Sequence, residues 1–255
     1  MGNRKNFLIN ELVKYCDRMD RREFVANHDG NLSVRYDDMT LLCTPTAESK
    51  ANINHEMILM LDMDGKKIEG IGKPFSEIKL HLSCYHARDD IQAVVHAHPP
   101  FAMARGLVNL PLEINIPEAV VSIGETVPVT DFAMPGDPVN DKIICNMLCQ
   151  HNIFMMPGNG IIAVGDNIEQ AWLRLELAEH LMKIDSYARS IGTPMELNEK
   201  NRQELLDKRK TAGLDPSTKK SSKTKKEETK FSHEIESDPL KKLIAEEIKK
   251  ILGEN

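Results

Sequence analysis

The chain has 255 residues, 41% of them hydrophobic, with 33 basic against 39 acidic side chains and a formal charge of -6. That is enough apolar material for one substantial core, and an acidic body excludes a nucleic-acid-binding protein that follows a phosphate backbone with a basic stripe. Five cysteines, Cys16, Cys43, Cys84, Cys145 and Cys149, are odd in number and form no Cys-x-x-Cys pair, which argues against a disulfide framework and for a reducing compartment.

In chain order, Phe7, Leu8, Leu12, Val13 and Cys16 recur at helical spacing and predict an opening helix. HDGNLSVRYDDMTLLCTPT then reads as short strands separated by Asp-Gly and Asp-Asp turns, and DMDGKK at residues 62 to 67 marks a further turn. A helix is expected from about Ser76, with the Ser76 hydroxyl as its cap. AVVHAHPP reads as a short buried strand stopped by Pro99 and Pro100. A strand pair between Met155 and Val164 precedes a long helix, with Asp166 and Glu169 three apart in a capping-box pattern. Helices flanking an antiparallel or mixed sheet are the expected architecture.

After Gly213 the run DPSTKKSSKTKKEETK holds almost nothing apolar, so it reads as a disordered Lys/Ser/Thr-rich linker over residues 213-232. Residues 233-255 then read as an amphipathic docking helix. Asp238 caps it, Pro239 takes the first position, and Leu240, Leu243, Ile244, Ile248, Ile251 and Leu252 form one stripe. Residues 1-212 are left as the catalytic domain. No segment approaches membrane-spanning length.

His96 and His98 lie two apart in an extended segment, so both imidazoles project from one face, a geometry suited to two ligands of one metal. An isolated His-x-His is also compatible with one packed ring and one ring bonded to a carbonyl. Glu77 at the start of the preceding helix is placed to move a proton to or from a substrate carbon. Gly30, Asn31 and Ser33 in HDGNLSVR, and Thr44, Pro45 and Thr46 in LLCTPT, offer small residues, hydroxyls and amides of the kind that cradle phosphate; each is also an ordinary turn.

The order of these motifs, GNLSVR, CTPT, FSEIKLH, AVVHAHPP, VPVTDFAMPG and GNGIIAVG followed by a long helix, resembles the class II aldolase and adducin family over roughly residues 5 to 190. The resemblance implies an α/β three-layer fold with a central, mainly antiparallel β-sheet flanked by helices, and a cytoplasmic homotetramer. It implies a lyase of carbohydrate metabolism: an aldolase that binds Zn2+ or another divalent metal and cleaves a ketose 1-phosphate of the fuculose or rhamnulose type to dihydroxyacetone phosphate and a short aldehyde. His96 and His98 match two zinc-binding histidines, and Glu77 matches the catalytic acid/base. Gly30, Asn31, Thr46 and Ser76 match phosphate-site positions.

Three positions depart from that pattern. Asn159 stands where the third histidine ligand is expected and is the candidate third ligand; Ala47 replaces a glycine; Phe75 replaces the first of two serines, adding bulk beside the expected phosphate pocket. Lys50 offers a compensating charge. These departures motivate the alternatives of a non-catalytic, adducin-like binding protein with a degenerate metal site, or a sibling epimerase or dehydratase. The tail resembles the peptides that dock enzymes into bacterial microcompartment shells, and residues 238-252 are the expected shell contact. A helix that folds back on its own oligomer and one that lies on a membrane surface are the alternatives, the last disfavoured by its balanced charges and lack of an aromatic anchor.

Overall fold

The computed structural model describes residues 2–134 and 136–216. The docking helix expected at 233-255 and most of the linker expected at 213-232 lie outside the described residues.

The first helix, α1, spans Gly2–Arg21 and buries Leu12, Tyr15, Cys16 and Met19, whereas Phe7 points outward. Strands β1 (Asn31–Arg35) and β2 (Thr40–Cys43) form the first hairpin, and β3 (Leu59–Asp62) and β4 (Lys67–Glu69) the second, around the turn at Asp62 to Lys66. β5 (Ala93–Ala97) and the pair β8 (Ile153–Met155) and β9 (Ile161–Gly165) complete a seven-stranded sheet of order β4-β3-β2-β1-β5-β9-β8. Every pairing in it is antiparallel. β6 (Leu112–Glu113) and β7 (Thr126–Val127) pair separately.

Residues alternate between the two faces of each strand, which splits the core in two. Leu32, Val34, Ala93, Val95, Ala97, Ile161 and Ala163 face a cluster closed by α1 and the long helix α6 (Ile168–Ile191), with Trp172 at 0% exposure stacked on Phe24. Leu41, Cys43, Val94, Ile162 and Val164 face a second cluster. It is covered by α2 (Ile78–Ala87) and α5 (Val139–Leu148). Helices therefore lie on both faces of an antiparallel sheet, the expected three-layer arrangement. Short helix α3 (Pro100–Leu107) leads from β5 to β6 and α4 (Pro117–Ser122) from β6 to β7, and α7 (Glu199–Thr211) docks buried Arg209 onto the Val121 and Ser122 carbonyls. Among the described residues no helix is long and apolar enough to cross a membrane.

Two helix starts differ from expectation. Glu77, not Ser76, is the N-cap of α2 and makes no side-chain cap bond, because its carboxylate is used elsewhere. In α6 the cap is Asn167, whose side chain accepts from the Gln170 amide. Gln170 in turn accepts from the Asp166 amide, one residue before the cap, so the helix start is bonded from both sides and lies one residue later than Asp166 and Glu169 suggested.

Candidate active site

β1 and β5 pair with Asn31 opposite His96, so the first residue of one strand and the fourth of the other share a face, the face that α2 covers. His98 follows two residues later, just past the end of β5, and its ring centroid is 5.0 Å from that of His96. The two imidazoles come together on one face as the His-x-His spacing required. The turn between β8 and β9 reaches the same place through Gly160, whose φ is +75° and whose absent Cβ would sit 2.2 Å from the Ala97 carbonyl oxygen and 2.5 Å from His98 Cδ2. Gly30 is similarly obligatory at φ +72°, with Val25 Cγ1 2.5 Å from where a Cβ would stand.

Glu77 enters from the start of α2. Asn159 Nδ2 donates to its Oε1 at 2.7 Å, and Asn31 Nδ2 donates to its Oε2 at 3.1 Å, one amide on each oxygen. His96 Nδ1 stands 3.2 Å from Oε2 at ion-pair distance but without hydrogen-bond geometry, while its Nε2 donates to the Asn159 carbonyl oxygen at 2.8 Å. Burial works to raise the pKa of Glu77, but the nearby charge of His96 and the bonds from Asn159 and Asn31 outweigh it and hold the group far below the usual carboxylate range. Burial opposes the charge on His96 as well, yet the adjacent Glu77 carboxylate and the Asn159 carbonyl raise its pKa overall. His98 goes the other way: burial and the neighbouring His96 lower it, against Asp29 and Glu77.

Asp29 is a site residue that the motifs did not single out. Its Oδ2 lies 3.6 Å from His98 Nδ1, on the side away from Nε2. A carboxylate on one nitrogen of a histidine leaves the other as the lone pair, which is the usual arrangement behind a metal-bound imidazole. The sequence signal was its place immediately before Gly30.

Among the described residues no three His, Cys, Asp or Glu side chains converge to hold a metal ion. What converges is an imidazole pair in which His96 Nδ1 and His98 Nε2 are buried with no hydrogen-bond partner. Buried polar atoms are ordinarily satisfied, so two orphaned ring nitrogens beside a carboxylate fit a divalent cation whose remaining positions are open to water or substrate oxygens. Asn159 spends its amide nitrogen on Glu77 and keeps only Oδ1 to offer.

The expected phosphate residues divide. Gly30, Asn31 and Ser76 adjoin Glu77 in space or in sequence, and Ser76 and Glu77 line a cavity of about 290 Å³ with Lys79, Asp137 and Asn140. Thr46 is exposed on the loop that follows β2, where its amide donates to the Lys73 carbonyl. Lys50 departs from expectation: it is 2% exposed, and its ammonium donates to the Glu48 carbonyl at 2.9 Å and the His28 carbonyl at 3.4 Å. It braces the segment before Gly30 from behind and is not a free cation. Phe75 also differs, because its ring is buried in the core and meets His81 edge-on at 4.8 Å, so its bulk does not crowd the cavity. Ala47 holds φ +60°, the left-handed conformation that glycine adopts without cost.

The model of the Class II Aldolase and Adducin N-terminal domain matches residues 10–185. The chain is 28% identical over 177 residues to an L-fuculose phosphate aldolase of Methanococcus vannielii, covering 69% of this chain and 94% of that one. It is 29% identical over 212 residues to the L-fuculose phosphate aldolase of Escherichia coli O157:H7, covering 82% and 97%. A 3-oxo-tetronate 4-phosphate decarboxylase of Pectobacterium atrosepticum is 29% identical over 179 residues, covering 68% and 81%. Among solved structures, an L-fuculose 1-phosphate aldolase superposes with a TM-score of 0.71 at 27% identity, covering 80% of this chain and 96% of that one. Relatives named as aldolases make this an aldehyde-lyase type of scaffold, and with a match across more than half its length the chain belongs to the class II aldolase and adducin family.

Proposed function

We propose that this protein is a divalent-metal-dependent aldehyde-lyase that cleaves a ketose 1-phosphate of the fuculose or rhamnulose type, giving dihydroxyacetone phosphate and a short aldehyde. The observation that carries the reading is the meeting of Glu77 with the buried His96, beside the partly exposed His98, where His96 Nδ1 and His98 Nε2 are buried atoms with no hydrogen-bond partner. His96 and His98 would hold zinc or another divalent metal, with Asn159 Oδ1 as a weaker donor in place of a third imidazole. A divalent cation there supplies Lewis acidity toward a ketose carbonyl and its neighbouring hydroxyl.

The chain's own groups account for the remainder. In the cleavage Glu77, an anion at rest, takes the proton of the C4 hydroxyl; the C3 to C4 bond breaks, C4 leaves as an aldehyde, the electron pair left on C3 is taken up by the adjacent carbonyl, and C3 then takes the proton back from Glu77. Glu77 handles the proton at carbon, held at both oxygens by Asn31 and Asn159 so that its reach and direction are set before substrate arrives. Gly30, Asn31, Thr46 and Ser76 would line the phosphate pocket, with the Thr46 and Ser76 hydroxyls as donors, since the Thr46 amide is taken by the Lys73 carbonyl and the Asn31 side chain by Glu77 and His81. Lys50 supports that loop and does not touch the phosphate. Exposed apolar side chains on α3 and α6, including Leu107, Leu173, Tyr187 and Ile191, support a homo-oligomer, for which we propose a tetramer in the cytoplasm. Encapsulation through residues 238-252 belongs to the same proposal and rests on the apolar stripe in the sequence.

A second reading, decarboxylation of a 3-oxo sugar-acid phosphate, is favoured by the two amide bonds already on Glu77. Loss of carbon dioxide from such a substrate requires no base for a hydroxyl proton, whereas retro-aldol cleavage does.

Elemental analysis of the purified protein, with assays on L-fuculose 1-phosphate, L-rhamnulose 1-phosphate and a 3-oxo-tetronate 4-phosphate, decides among these. Near-stoichiometric divalent metal that is lost in His96→Ala, together with release of dihydroxyacetone phosphate, is the expected result. Turnover of the oxo acid alone selects the decarboxylase. Absence of metal in the parent, with binding gained only in Asn159→His, overturns both and leaves a non-catalytic binding protein.

A further inference from the structure

Behind Glu77 a file of polar side chains runs from the site into the core between β1 and α2. Asn31 Oδ1 lies 2.6 Å from His81 Nε2, His81 Nδ1 lies 2.7 Å from Ser33 Oγ, and Ser33 Oγ lies 2.8 Å from the Tyr85 hydroxyl. Ser33 and His81 are wholly buried, and Asn31 and Tyr85 are nearly so. Ser33 and Asn31 share a face of β1 because they are two apart, and His81 and Tyr85 share a face of α2 because they are four apart.

The carboxylate dictates the proton on every member. Glu77 as an anion can only accept, so Asn31 turns its NH2 group outward and its carbonyl oxygen inward. That oxygen can only accept, so the hydrogen of a neutral His81 sits on Nε2. Nδ1 then accepts from Ser33, and Ser33 accepts from Tyr85. Burial, with a smaller contribution from the charge of His96, pushes His81 down to about 3, so the ring is neutral near pH 7. The chain is satisfied at each link, which is the condition under which a buried polar network specifies one arrangement.

We infer that His81 is a positioning residue: its Nε2–H holds the Asn31 amide with the nitrogen facing Glu77, and so fixes the direction in which the carboxylate meets substrate. No proton passes along the file, because the Asn31 amide cannot relay one. His81 acts on orientation alone, and the apolar neighbour Phe75 covers its ring. The inference rests on the reading of Glu77 as the group that handles the proton.

The test has two readouts on the full chain. Long-range 1H–15N spectra of 15N-histidine-labelled protein, with the His81 signals assigned by their loss in His81→Gln, should show the Nε2–H tautomer, uncharged between pH 5 and 8. An Nδ1–H tautomer or an imidazolium at pH 7 overturns the inference whatever the activity. The second readout is a double-mutant cycle on kcat with L-fuculose 1-phosphate. His81→Leu and Asn31→Leu should each lower kcat about tenfold or more, the scale of one lost hydrogen bond to a charged group, and the double variant should lose no more than the worse single one. His81→Gln, whose amide reproduces the Nε2–H donor, should recover most of the His81→Leu loss. Additive losses, or no rescue in a folded His81→Gln variant, would mean that His81 only fills space. If the parent has no turnover on any of the three sugar phosphates while the tautomer is as expected, the functional reading fails and the positioning geometry stands.

Discussion

The two faces of the sheet are built from the same strands and do different work. On the α1 and α6 face, β1 and β5 present Leu32, Val34, Ala93, Val95 and Ala97 to a predominantly apolar cluster that includes Trp172. On the α2 face the same strands present Asn31, Ser33, Val94 and His96, and the apolar packing gives way at one end to a run of buried hydrogen bonds. The first face stabilises through area removed from water and tolerates changes of similar volume. The second stabilises only while each donor finds its acceptor, and it spends that constraint on holding Glu77 in one place.

Substitutions on the two faces should therefore separate activity from stability. Glu77→Gln replaces an acceptor of two amide bonds by a group that must turn its own NH2 toward one of them. We expect a loss of at least about 100-fold in kcat/KM, within the range removal of a general acid or base gives, with unfolding free energy reduced by only about 1–3 kcal/mol. Steady-state kinetics and urea unfolding on the same preparation check the pair; a stability loss that accounts for the whole activity loss would erase the distinction. Trp172→Ala is the mirror image. It should cost about 3–5 kcal/mol of unfolding free energy and leave kcat per folded molecule close to the parent's, as read by denaturant titration and active-site-normalised rates.

The polar face should also show itself in pH dependence. The His81 pKa is lowered in the folded state, so the stability it contributes is present above the unfolded value near 6.5 and is lost as pH falls through that value toward about 3. Denaturant midpoints measured between pH 7 and 4 should fall more steeply in the parent than in His81→Gln, where no imidazole has to be kept neutral; parallel slopes would exclude His81 as the cause. The smallest expected effect lies in the loop after β2. Ala47→Gly removes a left-handed strain of about 1–2 kcal/mol, partly offset by the greater unfolded-state freedom of glycine, about 0.5–1 kcal/mol. A net gain of a few tenths to about 1 kcal/mol in calorimetry is expected.

Much of this was legible in residue order. Turn signals around GNLSVR and the proline stop after AVVHAH named the strands, and the two-residue spacing put His96 and His98 on one face, since side-chain direction in a strand is a property of spacing alone. Lys50 was not legible: its charge suggested a ligand for phosphate, but the short turn that carries it folds under the chain and turns the ammonium to main-chain carbonyls. Phe75 misled in the same way, since bulk beside a motif says nothing about which side of the chain it packs. Ser76 lost the α2 cap to Glu77 because the helix begins one turn-position later than the hydroxyl required.

By itself the sequence determined the elements that depend on local periodicity: the antiparallel hairpins, the long α6, the shared face of the two histidines and the family to which their order belongs. Only the tertiary structure decided what Glu77, Asn31, Asn159, Asp29 and His81 do to one another. They come from three separate stretches of the chain, and the bonds that join them depend on a strand register, a helix start and a glycine turn closing on the same few ångströms. Periodicity reports which way a side chain points; only packing reports what it meets there.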